Sequence, residues 1–326
     1  MQRKILKKII SIRRKFVANK SNVKITFAVY RIFARSPKPT NKLAAVLITN
    51  QACSNGGIVD RFKTMVSMYQ FAKNQNIPFR ILHTFPYNLS DFLLPNVYNW
   101  IPENNEISLN IKDVKLYFNS YWNFSPVENL LSFCHTHKQI HAYFQLDFTD
   151  RLNQIFETHD SWGDLFQELF RPTGELANLI NFHKQQIGKA YIALHFRFMG
   201  LLGDFKDVRS HSASNTDEIK NKCIEQIQKT VAKFPENAIY VASDSPSFNS
   251  QAAKITNVYA LEGEISHIAT GTNEKHETYL RNFLDFFMLA ESQKVYSIGT
   301  SDMYMGGNFS RYAAKIHNID FEKIYL

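Results

Sequence analysis

Residues 189–198 read Lys-Ala-Tyr-Ile-Ala-Leu-His-Phe-Arg-Phe. An apolar run of strand length ends on His195 and Arg197, two residues apart. Side chains alternate faces along a strand, so these two point the same way. At the end of a buried strand that places an imidazole and a guanidinium on one side of a crevice. A guanidinium suits bidentate contact with a phosphate. Open α/β sheets bind ligands outside the carboxyl ends of their strands. The stretch therefore predicts an anion site at such an edge.

The flanking sequence repeats the strand-then-helix rhythm. A helix is predicted over 217–233, then a strand over 238–242 running into Ser243-Asp244-Ser245-Pro246. A third strand covers 257–261. The helix predicted over 278–292 carries Leu280, Phe283, Leu284, Phe287 and Met288 on one face. A strand over 294–298 leads into Gly299-Thr300-Ser301, and a last helix lies near 309–316. Upstream, 43–49 reads as a strand, 50–57 as a loop, 59–74 as a helix and 78–83 as a strand. Further strands are expected near 113–119 and 139–146, and helices over 162–170 and 175–186. Strands alternating with helices at this spacing predict parallel, doubly wound sheets. At 326 residues the chain has room for two domains. The expected division is a basic segment and linker over 1–42, an N-terminal α/β domain over 43–187, and a C-terminal domain over 188–326.

The net charge of +9 is unevenly placed. Thirteen of the 38 Lys and Arg precede Asp60, and no Asp or Glu does. The remainder holds 25 basic and 29 acidic residues, a net of −4. In the basic segment Ile5, Ile9, Ile12 and Phe16 recur at helical spacing, with Lys and Arg on the other face. Charges interrupt every apolar run, so the segment is neither a signal-peptide core nor a membrane span. It predicts a helix over residues 1–20 lying on an anionic membrane surface, hence a cytoplasmic protein peripheral on the inner face. A basic helix packed on the protein's own body is the plainer alternative. A nucleic-acid arm fits less well, because the body is acidic and carries no nucleic-acid-binding motif. Three cysteines with no CxxC pair fit a reducing compartment. His135, His137 and His141 lie near Cys134, but a strand accounts for them without a metal.

Three loops of the C-terminal half would open at one edge: those after His195-Phe196-Arg197, at Ser243-Asp244 and at Gly299-Thr300-Ser301. A cation, a carboxylate, and small hydroxyl residues beside free amides can together hold a nucleoside diphosphate. Asp244 and Ser301 could equally serve as helix caps or turn residues. The loop Ser54-Asn55-Gly56-Gly57 lacks both the full GxGxxG pattern and a Gly-Lys-Ser/Thr. Its glycines still permit a close backbone approach to a bound group, or a plain turn.

Taken together these motifs resemble the GT-B fucosyltransferase superfamily, which includes α-1,6-fucosyltransferases, nodulation fucosyltransferases and protein O-fucosyltransferases. The resemblance runs over about residues 43–318. It rests on Gly56-Gly57-Ile58-Val59-Asp60-Arg61-Phe62, on Phe170-Arg171-Pro172 leading to Tyr191–Arg197, on Tyr240–Ser247, and on Leu284–Ala290 running into Ile298–Ser301. It implies an α/β fold of GT-B type, two Rossmann-like domains facing each other across a cleft. It implies an inverting, metal-independent transfer of fucose from GDP-fucose to a glycan acceptor, a cell-surface or lipid-linked polysaccharide, with no cofactor. Arg197 would contact the β-phosphate and His195 would line the nucleotide pocket. Asp244 would hydrogen-bond guanine, Ser301 would face phosphate or sugar, and Gly56 and Gly57 would let the N-terminal loop close on the donor. Members often carry a second Arg directly after the first, then an acidic residue; here Phe198 follows, and Asp204 is the first carboxylate. Asp204, or Asp207, is thus the expected general base. A transferase using another nucleotide sugar, or a non-catalytic nucleotide-sugar-binding relative, remains the alternative.

Overall fold

The structure, a computed structural model, describes residues 20–30, 42–50, 56–119, 125–205, 215–265 and 274–326. The amphipathic stretch over 1–19, the linker around Pro37 and Pro39, Cys53 and Asp207 lie outside the described residues. The chain forms two compact units, the first comprising residues up to Leu89 plus Pro95–Phe170, the second Ser90–Leu94 plus Arg171–Leu326.

In the first unit β1 (Ala45–Thr49), β2 (Phe79–His83), β3 (Val114–Phe118) and β4 (Gln139–Tyr143) make a parallel sheet in the order β2-β1-β4-β3. Between β1 and β2 runs α1 (Ile58–Asn74), buried over almost its whole length. Phe62 on α1 meets Phe166 edge-on, ring centroids 5.1 Å apart. Phe166 comes from α4 (Trp162–Leu169), which Ser161 caps by accepting the Asp164 N–H. Burying a Phe side chain contributes about 1.5–3 kcal/mol, so this contact is a principal tie between helix and unit. The unit also holds two short helices that the sequence does not announce, α2 (Asn129–Cys134) and α3 (Thr149–Phe156).

In the second unit the order is β9-β8-β5-β6-β7, again all parallel. The strands are β5 (Tyr191–Phe196), β6 (Ala238–Ser243), β7 (Val258–Ala260), β8 (Lys294–Gly299) and β9 (Asp320–Tyr325). β5, β6 and β8 are covered on both faces, as a parallel sheet requires. The covering helices are α5 (Gly174–Ile187), α6 (Thr216–Lys233), α7 (Pro246–Ala252), α8 (His276–Ala290) and α9 (Phe309–Ile316). Edge strand β9 was not expected; its Asp-Phe-Glu-Lys-Ile-Tyr is mostly exposed and lacks an apolar run.

The expected boundary at 187/188 is corrected to 170/171. The reason is α5, which packs on α8 and β7 inside the second unit. The His183 ring nitrogen Nδ1 lies 2.7 Å from the Tyr259 hydroxyl, Lys184 pairs with Glu291, and Glu175 lies 3.0 Å from His276. Residues 90–94 join the same unit because Phe92 stacks on Phe283, centroids 4.6 Å apart.

Candidate functional site

Within the second unit the chain leaves β5 toward β6 and β7, but β8 and β9 lie on the other side of β5. The sheet therefore changes direction between β5 and β8, the position where doubly wound sheets open a crevice. The register sets His195 opposite Ser297 and Phe196 opposite Ile298, so Arg197 and the Gly299 turn emerge side by side. The N–H of Tyr304 donates to the Arg197 carbonyl at 3.4 Å, tying the turn after β8 to that after β5.

Arg197 Nη1 lies 2.9 Å from Asp244 Oδ2, and its guanidinium sits over the Phe205 ring, 5.0 Å from the centroid. Asp244 follows β6 and is buried. Its Oδ1 accepts the Phe198 N–H at 2.7 Å and its Oδ2 accepts the Met199 N–H at 2.8 Å. Burial pushes the Asp244 carboxyl up from the usual carboxylate range, against the opposing pull of Arg197 and the two amides. Both oxygens thus face the turn after β5. Asp244, the expected guanine contact, here fixes Arg197 and that turn.

The turn itself is tight. Met199 and Gly200 have φ of +52° and +77°. A Cβ on Gly200 would come within 2.8 Å of the Phe205 carbonyl, so only glycine fits. At its far end Asp204 Oδ2 accepts the Ser245 hydroxyl at 2.8 Å and the Ser247 N–H at 2.9 Å. The segment after β5 is therefore pinned at both ends to the β6–α7 connection. Asp204, the expected general base, thus holds this segment to the start of α7 through its Oδ2.

His195 is buried and stacks on Phe309, centroids 5.5 Å apart. Burial, and then the Arg197 charge, push its imidazole down to about 3. It is neutral at pH 7 and a poor proton acceptor, suited to shaping the wall behind Arg197. Ser301 is exposed in the turn after β8, while Thr300 beside it is buried and its Oγ1 accepts the Asp302 N–H. Arg197, Asp244 and the turn carrying Ser301 are thus brought to one edge of the second unit.

The first unit carries Gly56 and Gly57 at the corresponding edge of its own sheet, before α1. Gly57 is the N-cap of α1, and Gly56 has φ +68°. Behind them is a group that sequence reasoning missed. Buried Arg61 donates from Nε to the Gly56 carbonyl, and from Nη1 to the Phe85 carbonyl at 3.0 Å and His83 Nε2 at 2.9 Å. An arginine only donates, so His83 Nε2 accepts and Nδ1–H donates to the Tyr87 carbonyl at 3.0 Å. Burial and Arg61 push His83 down to about 3. The hint in the sequence was a charged residue on the apolar side of α1, whose partners lie too far along the chain to be read from spacing. His141, one of three histidines near Cys134, is likewise occupied, with Tyr30 Oη 2.7 Å from Nδ1 and Gln139 Oε1 3.2 Å from Nε2.

A separate pocket of about 460 Å³ beside β7 is lined by His183, Tyr259, Glu262, Arg281 and Leu284 among others, and by none of the site residues expected from sequence. Arg281 there pairs with Asp285 at 3.1 Å, and Asp285 accepts the Tyr240 hydroxyl.

Among solved structures, the chain is similar to a mutant of Arabidopsis thaliana FUT1 in complex with GDP, with a TM-score of 0.55 and 10% identity over 94% of this chain and 75% of that one. It also matches NodZ α-1,6-fucosyltransferase soaked with GDP-fucose, with a TM-score of 0.47 and 12% identity over 84% and 92% of the two chains. POFUT1 in its apo form gives a TM-score of 0.44 and 10% identity over 89% and 99%. No protein-family model and no curated protein matches the sequence. The chain has the GT-B type of α/β fold, with a parallel Rossmann-like sheet in each unit. At this identity the likeness is one of fold.

Proposed function

We propose that this protein is a glycosyltransferase that moves fucose from GDP-fucose to a glycan acceptor, with inversion and without a metal. The observation that carries the reading is the Arg197–Asp244 pair at the switch point of the second sheet. The FUT1 fold supports it, since that structure is of a complex with GDP. In the reaction an acceptor hydroxyl attacks the anomeric carbon and gives its proton to a carboxylate, Asp204 being the first after Arg197, while the bond to the β-phosphate oxygen breaks and GDP leaves with the electron pair. Arg197 neutralises the charge that builds on the leaving diphosphate. A cation already fixed by Asp244 has no reorganisation to undergo at that moment. Amides and hydroxyls of the Thr300-Ser301 turn contact the phosphates or sugar. In the first unit Gly56, whose carbonyl accepts from Arg61, and Gly57 leave room for the close backbone approach of a bound group. The acceptor is a cell-surface or lipid-linked polysaccharide, and the basic N-terminal segment keeps the cytoplasmic enzyme on the inner membrane face.

Thermal unfolding with a panel of nucleotide sugars tests the donor. A ligand at a hundredfold its dissociation constant adds about 2.7 kcal/mol, so GDP-fucose should raise the midpoint where UDP- and ADP-sugars do not. Stabilisation by a different nucleotide sugar would move the assignment to that donor. Stabilisation by GDP-fucose, with no fucose release detected by mass spectrometry across acceptors, would make the chain a binding relative.

A further inference from the structure

Residues 20–29 form a helix that is apolar on two opposite faces. The inner face, Ile25 and Val29 followed by Tyr30, packs on the first unit beside Ala44, Val46 and Tyr143. It is locked there by the Tyr30 hydroxyl, 2.6 Å from that of Tyr143. The opposite face carries Val23 and Phe27, one turn apart and 53% and 66% exposed, with exposed Lys20 and Lys24 beside them. The other large exposed apolar side chains include Phe182, Tyr304 and Tyr325, none of which makes such a helical pair. An apolar stripe flanked by lysines, on a helix whose other side is already satisfied, is built to face something outside the molecule.

Charge and area select the occupant. Lys20 and Lys24 flank the stripe, and no acidic residue precedes Asp60 in the sequence, so this face attracts an extended anionic partner, at about 1 kcal/mol per Lys or Arg near an anionic bilayer. Two side chains are far less than the roughly 800 Å² per partner of a stable protein interface. They suffice to dip into the headgroup–acyl boundary while lysine stems reach outward to phosphates. We propose that Val23 and Phe27 are membrane-inserting anchors, and that helix 20–29, being fixed to the first unit, sets how that unit is held against an anionic lipid surface. The proposal rests on the peripheral-membrane part of the proposed function and extends it from the terminal segment to a helix integral to the fold.

The test is sedimentation of the full chain with vesicles of phosphatidylcholine alone or mixed equally with phosphatidylglycerol. The expected result is binding to the mixed vesicles only, weakened about tenfold or more by the double substitution Val23→Ser and Phe27→Ser. The variant's thermal midpoint should match wild type, because both side chains are exposed. Mixed-vesicle binding that the double variant retains in full would overturn the anchor proposal and leave the terminal segment as the membrane contact. Failure of the wild type to bind either vesicle would remove the peripheral reading itself. A wild-type dimer in size-exclusion chromatography that the double variant breaks would overturn the proposal in favour of a second copy of the chain.

Discussion

The Arg197 guanidinium and the Asp244 carboxylate meet at 2.9 Å, and the same carboxylate receives the backbone N–H groups of Phe198 and Met199. One side chain thus sets both a cation and the turn that follows it. Asp244→Ala should cost stability at the low end of the roughly 3–5 kcal/mol typical of a broken buried pair, because the Arg197 side chain stays 20% exposed. Asp244→Asn, which still accepts from an amide, should cost less. If Asp244 acts by positioning, affinities for GDP and UDP fall by the same factor in Asp244→Ala. If it reads guanine, GDP affinity alone falls. Titration calorimetry with both nucleotides separates the two.

Arg197→Lys keeps a positive charge but loses the planar fork that can span Asp244 and a phosphate. Removing one preorganised group that stabilises developing charge costs about a hundredfold to a thousandfold in turnover. Fucose release in Arg197→Lys should fall by about that much, while the thermal midpoint falls less than in Asp244→Ala. Turnover equal to wild type would remove Arg197 from the chemistry.

The parts of this arrangement readable in advance were those encoded locally. His195 and Arg197 stood out because a continuous apolar run stops on them, and β5, β6 and β8 were placed by similar runs. The partners were not readable. Asp244 reaches the turn after β5 only through the pairing of β5 with β6, and Asp204 finds Ser245 and Ser247 only through that turn's path. Asp204 stands out in the sequence as the first carboxylate after the cation, but spacing does not report what its Oδ2 holds. The unit boundary failed for the same reason. Gly188 ends α5 with φ +69° and looks like a linker, yet what assigns the helix is its packing on α8.

Gly56 and Gly57 are adjacent and should respond in opposite ways. A Cβ on Gly56 would lie 2.7 Å from Asp60 Oδ2 and 3.2 Å from Gln145 Nε2, at φ +68°. Gly56→Ala should therefore destabilise by about 1–2 kcal/mol from the left-handed backbone alone, with the clash in addition. Gly57 has φ −75°, open space around its Cα and the N-cap position of α1. Gly57→Ser should hold stability or raise it by a few tenths of a kcal/mol, about the margin of Ser over Gly at that position. Urea unfolding of both variants checks the contrast, and equal losses would mean the loop differs from this geometry.

Stability should fall with acid in two windows. Buried His83, His141 and His195 sit at about 3 in the folded chain against 6.5 unfolded. The unfolded chain binds protons more tightly, so their contribution is complete above pH 6.5 and is lost as pH drops toward 3. Glu291 is held down by His317 and Lys184 to about 2, against 4.5 unfolded. Its contribution is present above pH 4.5 and is lost on descending toward 2. Between pH 6.5 and 4.5 the histidines should thus dominate the slope of unfolding free energy against pH. His141→Gln, which cannot take up a proton, should flatten that slope by about a third of the three-histidine effect if the sites act independently. It should leave the lower, Glu291 window in place. Urea midpoints measured from pH 7.5 to 2.5 for both proteins decide it. An unchanged slope would mean that His141 is not buried as a neutral ring between Tyr30 and Gln139.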